Sequence, residues 1–154
     1  MGIGKKEYAA QMEQYKECLY RVAYIYMKDK TLALDVLDEA VYKGYVNRGK
    51  LKKKEYFKTW LTRIVVNECL QQLRRNKREV LIDQIPETTT EALDTLPIKD
   101  ALSKLSQELT NIIYLRFFGG YTLAETSEIL NVPQGTVATR ERRALALLKL
   151  ELSE

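Results

Sequence analysis

The sequence predicts an all-α protein: two small helical domains joined by a linker. Three observations carry that expectation. Apolar residues recur at intervals of three and four along almost the whole chain, the spacing that lines one face of a helix. All three prolines, Pro86, Pro97 and Pro133, fall after residue 85, so nothing interrupts helix in the first half. Charge is also divided unevenly. Residues 1–78 carry 18 Lys+Arg against 9 Asp+Glu, residues 79–100 carry 1 against 6, and residues 101–154 carry 6 of each. A basic front, an acidic middle and a neutral rear suggest a nucleic-acid-facing domain over 1–78, a linker over 79–97 and a second domain over 98–154.

In the first domain, Tyr15, Leu19, Val22, Ala23 and Tyr26 form one apolar stripe. Asp29-Lys30-Thr31 marks a turn, with Thr31 as the candidate N-cap of the next helix. That helix, about Leu32 to Tyr45, turns Ala33, Val36, Leu37, Ala40, Val41 and Gly44 inward. Asp35, Asp38, Glu39 and Tyr42 are left together on its other face. Three acids so close repel one another, which suits either a solvated face or a partner that offsets them. Asn47-Arg48-Gly49 closes the helix, and Lys50 to Glu55 is a short basic loop.

A third helix, about Tyr56 to Arg75, buries Phe57, Leu61, Ile64, Val65, Cys69 and Leu73. Lys52, Lys53 and Lys54 precede it; Lys58, Arg63, Arg74 and Arg75 surround its stripe, with Tyr56, Trp60 and Asn67 among them. Aromatics interleaved with cations suit a surface that stacks unpaired bases and tracks a phosphate backbone. Trp60 fits a core position equally well. Periodicity fails over 79–97, where two prolines, Thr88-Thr89-Thr90 and several acids read as linker; the acidity would keep it off DNA.

The second domain resumes at Ile98 with Ala101, Leu102 and Leu105, and a helix from Leu105 to Phe118 leads to Gly119-Gly120, where glycine admits left-handed angles. Thr122 and Glu125 have capping-box spacing, opening a short helix from Leu123 to Leu130. Asn131-Val132-Pro133 breaks it, and Gln134 to about Lys149 restarts as helix. This reads as a helix-turn-helix. Gln134, Thr136, Thr139, Arg140, Arg142 and Arg143 near the front of its second helix are the short polar groups and guanidinium forks that major-groove reading requires. Two packed helices with a solvated basic face would give the same pattern.

Several function classes are disfavoured. The chain has no histidine, and Cys18 and Cys69 lie far apart without metal-ligand spacing. No phosphate-binding loop, dinucleotide motif or nucleophile–base pair is present, so neither catalysis, a small-molecule substrate, a metal nor another cofactor is expected. Buried, reduced thiols and the lack of a membrane-span run or signal-peptide core point to the cytoplasm. The residues leave open a DNA-binding protein, such as a stand-alone operator-binding regulator, and an RNA- or protein-binding adaptor. No dimerisation helix is left over once the two domains are assigned, so a stable homo-oligomer is not expected.

With both halves in view, the chain resembles the extracytoplasmic-function (ECF) sigma factors, the compact branch of the sigma-70 family. Leu19 to Ala23 and Ala33 to Val41 are similar to the start of region 2 and to its region 2.2 helix. Phe57 to Asn67 resembles regions 2.3 and 2.4, while Arg116 to Thr122 and Gly135-Thr136-Val137 resemble region 4. Nothing answers to the region 1.1 and region 3 domains of larger members, which is what places the likeness in the ECF class.

The resemblance implies a non-enzymatic factor that binds core RNA polymerase and promoter DNA and is controlled by an anti-sigma factor. It assigns Asp35, Asp38, Glu39 and Tyr42 to the clamp helices of the largest polymerase subunit. Lys52, Lys53, Lys54, Tyr56, Lys58, Trp60, Arg63, Asn67, Arg74 and Arg75 are assigned to the −10 element, with a flipped base held by the Lys50–Glu55 loop and Asn67. Gln134, Thr136, Thr139, Arg140, Arg142 and Arg143 are assigned to the −35 element. The chain departs from the family pattern at Thr62, where many relatives place a −10-pocket tyrosine. It departs again at Thr126, for an aliphatic residue, and at Ala138 and Glu141, for a lysine and a leucine. Glu141 falls on the inner side with Val137, Ala144 and Leu148, so it is expected at the rim or beside Arg140 or Arg142.

Overall fold

A computed structural model describes residues 2–80 and 96–153, and every regular element among them is helical. The chain divides into two compact units, Met1–Thr88 and Thr89–Glu154.

Three long helices build the first unit: α1 (Lys5–Met27), α2 (Lys30–Val46) and α3 (Phe57–Val80). Each packs against the other two. Leu19, Val22, Ala23 and Tyr26 of α1 meet Ala33, Val36 and Ala40 of α2 and Phe57, Leu61, Val65 and Cys69 of α3 in one buried core. Lys28 ends α1 in a left-handed conformation (φ 58°), its N–H bonded to the Tyr24 carbonyl at 2.7 Å. The cap of α2 is Asp29, not Thr31. The Asp29 carboxylate accepts from the Leu32 N–H at 2.8 Å, and an anion suits the positive end of a helix.

Between α2 and α3 the chain makes two short 3-10 turns, Arg48–Lys50 and Lys54–Tyr56, around a fully buried Leu51. The close approach of the helices is set at Gly44. A Cβ there would lie 2.7 Å from both Leu61 Cδ1 and the Tyr8 hydroxyl. Burial pushes the Tyr8 phenol up to about 12, and its O–H donates to the Val41 carbonyl at 2.6 Å.

In the second unit α4 (Leu96–Ser103) and α5 (Gln107–Ile113) are separate helices. The helix expected from Leu105 to Phe118 begins two residues later, at Gln107, because Ser106 caps its start, its hydroxyl accepting from the Leu109 N–H at 3.4 Å. The break between α4 and α5 lets Ala101 and Leu102 of α4 join Leu109 and Ile113 of α5 against Ala144 and Leu148. α5 runs into a π-helical turn, Tyr114–Phe118, and α6 (Leu123–Leu130) and α7 (Gln134–Leu152) follow. The expected linker, 79–97, begins and ends in helix: α3 continues to Val80 and α4 starts at Leu96, with Pro97 in its first turn where no N–H is needed. Its remainder, 81–95, lies outside the described residues.

Two substitutions test this packing. Gly44→Ala should lower unfolding stability by roughly 1–3 kcal/mol, the usual cost of overpacking, read as a shift in the denaturant midpoint. The Thr126 hydroxyl is fully buried, and its oxygen has no hydrogen-bond partner among the described residues. Thr126→Val removes that orphan at nearly constant volume and should raise stability by about 1 kcal/mol in thermal melts.

Candidate nucleic-acid interface

The first unit presents two outward surfaces of opposite character. On α2, Asp35, Asp38 and Glu39 are exposed, and none is in an ion pair among the described residues. Tyr42 (64% exposed) and Val46 (59%) continue the same face by helical spacing. Beside it lies an apolar groove of about 530 Å³ lined by Tyr20, Tyr24, Leu34 and Leu37, with Lys16, Glu17 and Arg21 at its margin. Val46 and this groove escape sequence reading. Val46 closes a helix where apolar residues are expected inside, and the groove needs two helices to exist.

On α3 and the turn before it, Tyr56, Arg63, Asn67 and Arg74 are exposed and share one face by the 3.6-residue repeat. Trp60 joins them half-buried. Its ring stands 6.3 Å from that of Phe57, so it is both core flank and surface. Lys52, Lys53 and Lys54 are exposed on the loop whose position Leu51 anchors.

The other two proposed contacts sit elsewhere. Lys58 falls on a different side of the helix. Arg75 lines a polar crevice of about 360 Å³ with Asp35, Glu39, Lys43, Glu68 and Gln72, between α2 and α3. Thr62 is fully buried, its hydroxyl donating to the Lys58 carbonyl at 2.7 Å, so this position does not line the exposed face. The Lys43–Glu68 ion pair crosses the crevice, with Glu68 almost wholly buried. A long-range pair of this kind has no periodicity by which sequence could reveal it.

The second unit holds the helix-turn-helix. Thr122 and Glu125 form the expected capping box, with contacts of 2.9 and 3.0 Å. Asn131 takes the expected left-handed conformation (φ 58°), and Ser127 donates to the Val132 carbonyl at 2.5 Å across the turn. Of the two glycines before α6, only Gly120 needs a positive φ (72°). Gly119 is required for space, since a Cβ would meet the Tyr121 ring at 2.8 Å.

Thr136, Thr139, Arg140 and Arg143 line an open groove of about 520 Å³ at the front of α7, with Pro133 and Gly135. Gln134 and Arg142 are exposed but do not line it; Arg142 leans toward the Thr139 hydroxyl at 3.4 Å. Arg140 is 3.4 Å from the exposed Glu108 carboxylate. Glu141 is partly exposed, and its partner is neither Arg140 nor Arg142. It pairs with Arg116, 25 residues earlier in the chain, at 2.6 Å. Among the described residues there is no cluster of three or more metal-ligating side chains, and no helix is long and apolar enough to cross a membrane.

The two units coincide with two matches to protein families. Residues 12–79 match the sigma-70 region 2 family and residues 101–150 the sigma-70 region 4 family. The chain is 30% identical over 145 residues to the RNA polymerase sigma factor SigV of Bacillus subtilis, covering 91% of this chain and 87% of that one. It is 32% identical over 135 residues to the ECF RNA polymerase sigma factor SigM of Mycobacterium tuberculosis, covering 84% of this chain and 69% of that one.

Two solved structures share the fold. One is the sigma factor RpoE bound to the anti-sigma factor NepR from Bartonella quintana, with a TM-score of 0.75, 23% identity and coverage of 96% and 98%. The other is CnrH bound to the cytosolic domain of CnrY, with a TM-score of 0.77, 19% identity and coverage of 97% and 90%. With region 2 matched over the three-helix unit, region 4 over the unit that holds the helix-turn-helix, and relatives at 30% and 32% identity along most of its length, the chain belongs to the sigma-70 family, as an RNA polymerase sigma factor of the ECF class.

Proposed function

We propose that this sigma factor divides promoter recognition between domains over 1–78 and 98–154, with 79–97 as the linker. The carrying observation is that one small core turns an acidic face and an aromatic-basic face outward on adjacent helices. Asp35, Asp38, Glu39 and Tyr42 dock on the clamp helices of the polymerase's largest subunit, where a basic partner offsets their repulsion. Tyr56, Trp60, Arg63, Asn67 and Arg74, with Lys52, Lys53 and Lys54, take the opened −10 strand. Unstacking a base costs a few kcal/mol, and stacking on Trp60 or Tyr56 with phosphate contacts from the lysine loop returns it. Lys58 and Arg75 contribute field at the margins of that surface, Arg75 from beside the acidic helix.

The −35 duplex is gripped by α7. Thr136, Thr139, Arg140 and Arg143 face the groove, and Gln134 and Arg142 reach phosphates at its edge. Arg140 trades its weak contact with Glu108 for DNA, a cheap exchange because Glu108 is 70% exposed. Both fold relatives are complexes, RpoE with the anti-sigma factor NepR and CnrH with the cytosolic domain of CnrY. An anti-sigma factor controls this chain in the same way, with the apolar groove of Tyr20, Tyr24, Leu34 and Leu37 as an accessible seat. The protein works in the cytoplasm. There the Cys69 thiol, pushed up to about 12 by burial and then by the Glu68 carboxylate, stays protonated and inert.

Run-off transcription with core polymerase tests the proposal. Wild type should start transcription at a defined promoter. Asp35→Lys with Asp38→Lys should weaken core binding at least tenfold while leaving helicity intact, since both positions are solvated; unchanged core affinity would refute the docking assignment. Trp60→Ala should cost roughly 1–3 kcal/mol in open-complex stability. Global unfolding in place of a promoter-specific loss would assign Trp60 to the core alone.

A further inference from the structure

Glu141 is a carboxylate on the inward side of α7, with a side chain that keeps only 19% of its exposure. By the 3.6-residue repeat it points the same way as Val137, Ala144 and Leu148, the buried residues of α7. A carboxylate there must be paired, because an isolated charge would draw the helix out toward water. Its partner is Arg116 in the π-helical turn after α5. Arg116 Nε donates to Glu141 Oε1 at 2.6 Å, and Arg116 Nη1 donates to the Tyr121 carbonyl at 2.8 Å. The two side chains keep only 25% and 19% of their exposure.

One guanidinium therefore joins three pieces of the unit: the end of α5, the chain entering α6, and the inner side of α7. A planar fork fixes direction as well as distance, whereas an apolar contact lets one helix slide or roll on another. Glu141 follows Arg140 directly and precedes Arg143 by two residues. The pinned turn is thus the one whose outer side carries the groove-lining arginines.

We infer that Arg116 and Glu141 are positioning residues for −35 recognition: the pair sets the rotation and depth of α7 without touching DNA. This rests on the reading of α7 as the −35 reader. Arg116 acts from the buried side, so its charge is spent inside the protein and does not add to the phosphate-facing field.

The test uses holoenzyme reconstituted from core polymerase and the full chain, run on a promoter mapped by its transcripts and on templates changed at single −35 positions. Glu141→Gln and Arg116→Lys should each lower the preference for the mapped −35 sequence by roughly 5- to 100-fold, the worth of one base-edge contact. Core affinity and dependence on the −10 sequence should stay at wild-type values, with melting well above the assay temperature. A pair that only stabilised the fold would lower the melting temperature and leave −35 preference unchanged, which overturns the inference. An even change across all −35 templates overturns it too, since Glu141 would then be acting on phosphate. Arg116→Lys keeps the charge and loses the fork, so it carries the comparison if the glutamine variant does not fold. Wild-type holoenzyme indifferent to the −35 sequence would instead remove the reading of α7, and the inference with it.

Discussion

At Gly44 the backbone of α2 comes close enough to α1 and α3 that a single methyl group would collide with Leu61 and with the Tyr8 hydroxyl. Much in the first unit follows from that contact. It lets the short side chains Ala33 and Ala40 pack on the same inner stripe of α2. It brings Val41 within reach of the Tyr8 hydroxyl and Tyr8 against both Tyr45 and Phe57. Because α2 is packed closely on its inner side, its outer side has to carry the polar residues. The acidic face is therefore held on a rigid support, as the docking proposed for it would require.

The same closeness governs how the two outward faces relate. Lys43 on α2 and Glu68 on α3 meet across the crevice between them, with Glu68 almost wholly desolvated. Only the Glu68 side is buried, since the Lys43 side chain keeps 41% of its exposure, so the pair adds little net stability, yet losing Lys43 would leave the Glu68 carboxylate without compensation. Its effect is directional: it ties the helix bearing Asp35 and Glu39 to the helix bearing Arg63 and Asn67. The second unit uses an ion pair in a comparable place, with Arg116 and Glu141 between α5 and α7. In both units an apolar core holds the helices together, and one long-range ion pair crosses between the elements that it joins.

Local chemistry was legible in the sequence wherever a few adjacent residues settle the outcome. The capping box of Thr122 and Glu125, the left-handed turn at Asn131 and the restart of helix at Gln134 all depend on contacts within five residues. Most of the burial stripes of α1, α2 and α3 were readable for the same reason, since helical periodicity is a local property; Leu37, expected inward, instead lines the open groove beside Leu34. Reading failed where two local signals competed. Asp29 and Thr31 both make good caps, and the carboxylate prevailed. Leu105 fits the apolar period, but the Ser106 hydroxyl is the better N-cap and moves the helix start to Gln107.

By itself, then, the sequence determined the helical class, the inward faces, the helix-turn-helix and the two charged surfaces, because spacing and capping act along the chain. Only tertiary structure decided which residues those surfaces share. Trp60 became both core and surface because Phe57 lies under one side of it. Arg75 went to the acidic helix and Thr62 to the interior because α2 and α3 cross where they do. Glu141 found Arg116 25 residues away, a pairing that packing creates and no local pattern encodes.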